Sequence, residues 1–102
     1  MSPNDILRQA AAVLESKGWC QGMMHGIGGT CCMLGAITTA AWAEPHDGHA
    51  VRRIAERERA CTMVVQLLRG RAISEWNDEP GRTKEQVVAK LLEAASLVEE
   101  AP

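Results

Sequence analysis

GWCQGMMHGIGGTCCMLGA, residues 18–36, decides how the chain divides. It holds six of the nine glycines, three of the four cysteines and one of the three histidines. Gly22, Gly26, Gly28 and Gly29 interrupt residues 19–33 too often for a long helix. The stretch reads as two short extended pieces, near 19–24 and 30–33, joined by the turn-prone HGIGGT in the manner of a β-hairpin.

On either side the apolar spacing is helical. Upstream, Ser2 is a good N-cap, Pro3 suits the first helical position and Asp5 falls at N3. Ile6, Leu7, Ala10, Ala11 and Leu14 then line one face. Gly18 supplies a left-handed stop, and Trp19 is placed to fold back on Leu14. Downstream, a second helix is expected from near Cys32 through LGAITTAAWAE, ended by Pro45 and the turn-prone HDGH at 46–49.

A third helix is expected over roughly 50–69. Val51, Ile54, Cys61, Val64, Val65 and Leu68 form its apolar stripe and the Arg/Glu-rich RRIAERER (52–59) its wet face, with Gly70 at its end. Ile73 and Trp76 anchor the following segment. Pro80-Gly81 marks a type II turn. Thr83 and Gln86 form a capping box ahead of a last helix whose inner face is Val87, Val88, Leu91, Leu92, Ala95 and Val98. The final residues, 99–102, should fray. The expected fold is mainly α: one compact domain over 1–102, a bundle of about four helices with a small glycine-rich, hairpin-like insertion after the first.

Composition narrows the function. With 46% apolar and 24% charged residues the chain can bury an ordinary core. The net charge is −2, and the cations are interleaved with acids, so a nucleic-acid partner is not expected. TKEQVVAKLLEAA, with Lys84 and Lys90 set against Glu85 and Glu93, is thin for a major-groove helix. No segment nears the ~18 apolar residues of a membrane span, and the amphipathic N-terminus does not resemble an export signal. A cytoplasmic setting follows as the expectation, in which the four cysteines are free thiols or ligands rather than disulfides.

Cys20, His25, Cys31 and Cys32 have the residue types of a zinc site, with Cys61 or the His46/His49 pair as substitutes. Adjacent Cys31 and Cys32 point to opposite faces of an extended segment, which opposes shared ligation, and buried thiols are the simpler expectation. A cysteine nucleophile at the start of the second helix, with His25 nearby, lacks an orienting third group. GIGGT ahead of a helix is only loosely an anion-binding turn, lacking the Lys-Ser/Thr ending. No cofactor or catalytic set is therefore expected.

WNDEPGRT (76–83) is more distinctive. Asn77 and Asp78 can bond backbone amides ahead of the Pro-Gly turn, and Arg82 can return to Asp78 or Glu79. Trp76, Asn77, Asp78 and Arg82 form a candidate interaction corner. The expected function is a non-enzymatic interaction module with a protein partner or a second copy of itself; a small zinc- or thiol-dependent protein is the alternative.

GW-x-x-G (18–22), C-x-L-G-A (32–36) and WND-x-PGRT (76–83), followed by a short amphipathic helix, resemble a family of small helical domains of unknown function from actinobacteria and their phages. The matching positions are Gly18, Trp19, Gly22, Cys32, Gly35, Ala36, Trp76, Asn77, Asp78, Pro80, Gly81, Arg82 and Thr83. Cys20, His25 and Cys31 lie outside these motifs. The resemblance implies a helical fold and a cytoplasmic setting, with a phage product that modulates its host as one form; it implies no activity.

Overall fold

The computed structural model describes residues 2–43 and 50–97. Among them are five α-helices: α1 (Pro3–Lys17), α2 (Met33–Ala41), α3 (Ala50–Leu67), α4 (Ile73–Asn77) and α5 (Lys84–Ala95). The Pro45 stop, the His46/His49 pair, Val98 and the C-terminal residues lie outside the described residues.

The two best-capped helices start where their side chains dictate. Ser2 accepts from the Asp5 amide at 3.1 Å and Pro3 opens α1. Thr83 and Gln86 exchange the two bonds of a capping box at 3.1 and 3.2 Å, which fixes the start of α5. Capping of this kind contributes about 1 kcal/mol. The α1 stripe is buried as its spacing requires, from Ile6 to Leu14. A further tie has no periodic signal: Asn4, almost fully buried, donates its side-chain amide to the Ala95 carbonyl at 2.6 Å, fastening the start of α1 to the end of α5.

Helix α1 is central, packed chiefly against α5 and α2, with α3 against α2, α1 and α5. Ala10, Ala36, Ala40, Ala60 and Ala94 are fully buried, so helices approach closely at several points. Leu7, Leu14, Ile37, Leu91 and Met33 fill the space between. Truncating one such leucine to alanine typically costs about 2–5 kcal/mol.

Three expectations need correction. First, the glycine-rich stretch does not form a hairpin, and no strand occurs among the described residues. Cys31 instead runs between two single-residue partners, pairing parallel with Trp19 and antiparallel with His25. Its amide bonds to the Gly18 carbonyl and its carbonyl accepts from the Cys20 amide, both at 3.0 Å. The reason lies in the glycines. Gly22 (φ 82°) turns the chain back after Cys20, and Gly28 and Gly29 (φ 75° and 86°) fold residues 27–29 into a single 3₁₀ turn, so neither extended piece is long enough to pair in register. Gly18 likewise has φ 93° but ψ 165°, an extended glycine-only conformation instead of the left-handed helical one.

Second, the outer half of the α3 stripe is not core. Val51 is 82% exposed and Ile54 51%, and Ala60 and Val64 are the buried residues of this helix. Periodicity identifies a face but not what covers it. Third, Gly70 stands at the end of α3 as expected, but it shares the closure with Arg69. Arg69 sits at φ 58°, its amide bonds to Gln66 O and the Gly70 amide to Val65 O, which is a Schellman arrangement with arginine in the left-handed position. On α5, Leu92 is 47% exposed and Ala94 takes the inner position expected of it.

Candidate functional site

The short helix α4 places WND at the mouth of the glycine-rich loop. Ile73 is buried and anchors α4. One turn later Asn77 enters the interior and is fully buried. Its Oδ1 accepts from the Trp19 indole N–H at 2.6 Å and from the Met33 amide at 3.0 Å. Its amide nitrogen donates to Cys20 O at 3.1 Å and to Asp78 Oδ1 at 2.9 Å. Both donors and both acceptor positions of the side chain are thus used. The Met33 amide is one of the N-terminal donors of α2 that no helical carbonyl can reach, so Asn77 also caps a helix to which it does not belong.

Its neighbours continue the tie. Asp78 Oδ1 accepts from the Gly22 amide at 2.9 Å. That amide, and then the Asn77 side-chain amide, hold the Asp78 carboxyl below its ordinary range. From the other side Gln21 Nε2 donates to the carbonyls of Asn77 and Glu79 at 3.0 and 3.1 Å. The GW-x-x-G and WND motifs are therefore one hydrogen-bonded unit. The third motif joins through Gly35: a side chain there would overlap the Met24 carbonyl, which also accepts from the Cys32 amide at 3.0 Å.

This arrangement revises the role expected of the corner. Asn77 and Asp78 bond backbone amides, but on the distant loop rather than in their own turn. Asn77 is closed to solvent and offers nothing to a ligand. The Arg82 side chain forms no ion pair with Asp78 or Glu79: its Nε donates to Trp76 O at 2.9 Å and its guanidinium lies 3.7 Å from the centroid of the Trp76 ring. Glu79 pairs with Arg71 at 2.6 Å, and that hydrogen-bonded charge lowers the Glu79 carboxyl. The Pro80-Gly81 turn forms as expected, closed by the Arg82 amide on Glu79 O at 3.0 Å with Gly81 at φ 85°.

Two concavities flank the unit. A shallow groove of about 200 Å³ is lined by Gly22, Met23, Met24, Cys32, Leu34, Ser74 and Asp78. Of the loop residues, Met23, which lines it, is 56% exposed, and Ile27 is 96% exposed. A more open cleft of about 370 Å³ lies between Trp76, Arg82 and the α5 residues Gln86, Ala89, Lys90 and Glu93. Gln21, Lys90 and the exposed methionines carried no signal in the sequence, because their importance depends on which segments meet.

The Cys20, His25, Cys31 and Cys32 side chains go to separate partners. Cys20 Sγ contacts Met23 O, Cys31 Sγ contacts Gly29 O, and Cys32 Sγ accepts from the Gly35 amide at 3.3 Å as the cap of α2. His25 Nε2 lies 3.4 Å from Thr39 Oγ1. Among the described residues no group of three or more His, Cys, Asp or Glu side chains is placed to hold a metal ion, so the zinc arrangement is not formed. All four thiols are free, and burial pushes those of Cys32 and Cys61 up. No helix among the described residues is long and apolar enough to cross a membrane.

No curated protein and no solved structure matches the chain. The model of a family of unknown function, DUF6197, matches residues 1–97, and with nearly its whole length covered the chain belongs to that family.

Proposed function

We propose that the protein is a non-enzymatic interaction module whose recognition face is the Gly22–Ile27 loop and the groove beside it, taking a short apolar stretch of a partner protein. One observation carries this reading: the loop is held at Gly22 by Asp78, at Met24 by the Cys32 amide and at Gly26 by Thr30, yet Met23, Met24 and Ile27 remain 56%, 37% and 96% exposed. A loop ordered by this many bonds would be expected to turn such side chains inward if burial were its only purpose. Methionines suit the role because their flexible thioether side chains adapt to varied apolar surfaces. The motif resemblance supports a cytoplasmic setting in an actinobacterium or its phage, where the partner of a phage-encoded copy is a host protein.

The test pairs light scattering with affinity capture, using wild-type protein and the double variant Met23→Glu/Ile27→Glu. Both substituted positions are exposed, so the variant should fold with unchanged thermal stability. Proteins retained by wild type and lost by the variant support the reading, as does a wild-type dimer that the variant dissolves. A monomeric wild type whose captured set the variant shares would refute it.

A further inference from the structure

We propose that the cleft between Trp76, Arg82 and Lys90 binds a carboxylate group carried by an acidic peptide segment; this rests on the interaction-module reading but uses a different surface. The argument starts with Arg82. It is half-buried and fixed at two points, by its Nε bond to Trp76 O and by stacking 3.7 Å over the Trp76 ring. Four of its five N–H groups, those on the terminal nitrogens, have no partner among the described residues. Fixing a long side chain costs entropy, and a pre-organised guanidinium recovers it by gripping an oxyanion with two parallel bonds.

The acid whose charge bears on Arg82 and the one that faces Lys90 are both already engaged. Glu79 is held by Arg71 at 2.6 Å and Glu93 by Lys90 at 3.2 Å. Lys90 Nζ also lies 5.8 Å from the Trp76 centroid, so a second cation borders the same ring. The cleft is about 370 Å³, with Gln86 and Ala89 along its α5 wall. That volume admits an acidic side chain and part of its backbone.

The charge balance selects among oxyanions. Arg82 and Lys90 face one carboxylate, Glu93, leaving a single positive charge in the lining. A singly charged carboxylate matches it, whereas a phosphate dianion meets Glu93 uncompensated. The chain's net charge of −2 further opposes polyanions.

The test titrates ¹⁵N-labelled full-length protein with acetyl-Gly-Gly-Glu-Gly-amide, which carries a single carboxylate, following the Arg82 Nε–H and Trp76 indole resonances. Acetyl-Gly-Gly-Gln-Gly-amide and inorganic phosphate are the comparison arms. Saturable shifts with the glutamate peptide are expected, with a Kd near or below about 1 mM. Arg82→Lys keeps the charge but loses the fork, and should weaken binding about fivefold or more. Gln86→Glu preserves the capping box while adding an anion to the wall, so it gives the same loss without threatening the fold. No saturation, equal binding of the glutamine peptide, tighter binding of phosphate, or indifference to both substitutions would overturn the proposal. The two readings fail separately: Met23→Glu/Ile27→Glu should leave peptide binding intact, and Gln86→Glu should leave association through the loop intact.

Discussion

Removing the Asn77 side chain should destabilise the protein more than almost any other single polar truncation. In Asn77→Ala the Met33 amide loses its acceptor in a fully buried position, where water cannot replace it. An orphaned buried donor of this kind costs about 1–3 kcal/mol. The Trp19 indole and the Cys20 carbonyl lose partners too, but both residues are half-buried and partly recover solvent, so each adds about 1 kcal/mol. The expected total is roughly 3–5 kcal/mol, set against the 5–15 kcal/mol that holds a domain folded. Asn77→Asp is the sharper probe. It preserves the shape and Oδ1, yet turns an acceptor toward Cys20 O and toward the Asp78 carboxylate, and should cost about as much at neutral pH. Urea unfolding followed by circular dichroism, at constant m, measures both. A double-mutant cycle with Trp19→Phe, which removes the indole donor, should show coupling of about 1 kcal/mol. A loss below about 1 kcal/mol in Asn77→Ala, or an Asn77→Asp variant as stable as wild type at pH 7, would refute the assignment of Asn77 as the tie between motifs.

Gly35→Ala should be destabilising by about 2 kcal/mol or more, because the new methyl must displace the Met24 carbonyl from the first turn of α2; thermal melts would show it, and a neutral substitution would mean the loop does not sit there. Arg69→Gly should be neutral to stabilising by about 1 kcal/mol, since it relieves the left-handed strain at φ 58° at the cost of backbone entropy; urea titration would detect a loss if the guanidinium mattered more than the backbone. The Asp78 carboxyl, lowered by the Gly22 amide and the Asn77 side chain, contributes stability above the ordinary carboxylate range that is lost as pH falls through its folded value. Asp78→Asn should therefore be less stable than wild type at pH 6, with the difference closing below about pH 4; a constant gap across that range would count against the ionised tie.

What could be read in advance was what residues a few positions apart decide. The Ser2 and Thr83 caps, the α1 stripe, the Pro80-Gly81 turn and the start of α2 near Cys32 are all local, and all formed as the sequence implied. The motif resemblance pointed to a family of unknown function, which is where the chain belongs. The misread elements depend on distance. Glycines at 22, 28 and 29 mark turns, but the partners of the segments between them are set by Asn77 and Asp78, fifty-odd residues away. Helix α4, at five residues, is too short for periodicity to register. Val51 and Ile54 occupy the right spacing for a core stripe and still face outward.

The Asn77 tie also sets an order of events for a chain made from its N-terminus. Trp19 and Asn77 are 58 residues apart, so α1 and α2 can form and meet while the loop between them still lacks its fastener. Until α4 arrives, the Met33 amide has no acceptor and Gly22 no carboxylate to hold it. Closing so long a span before other contacts are in place is entropically unfavourable, which makes the loop among the last parts to settle. A nascent or truncated chain that stops short of residue 77 would carry Met23, Met24 and Ile27 on a segment held only by its local bonds to Thr30, Cys31 and Cys32, and so would be the form most exposed to mispairing or proteolysis.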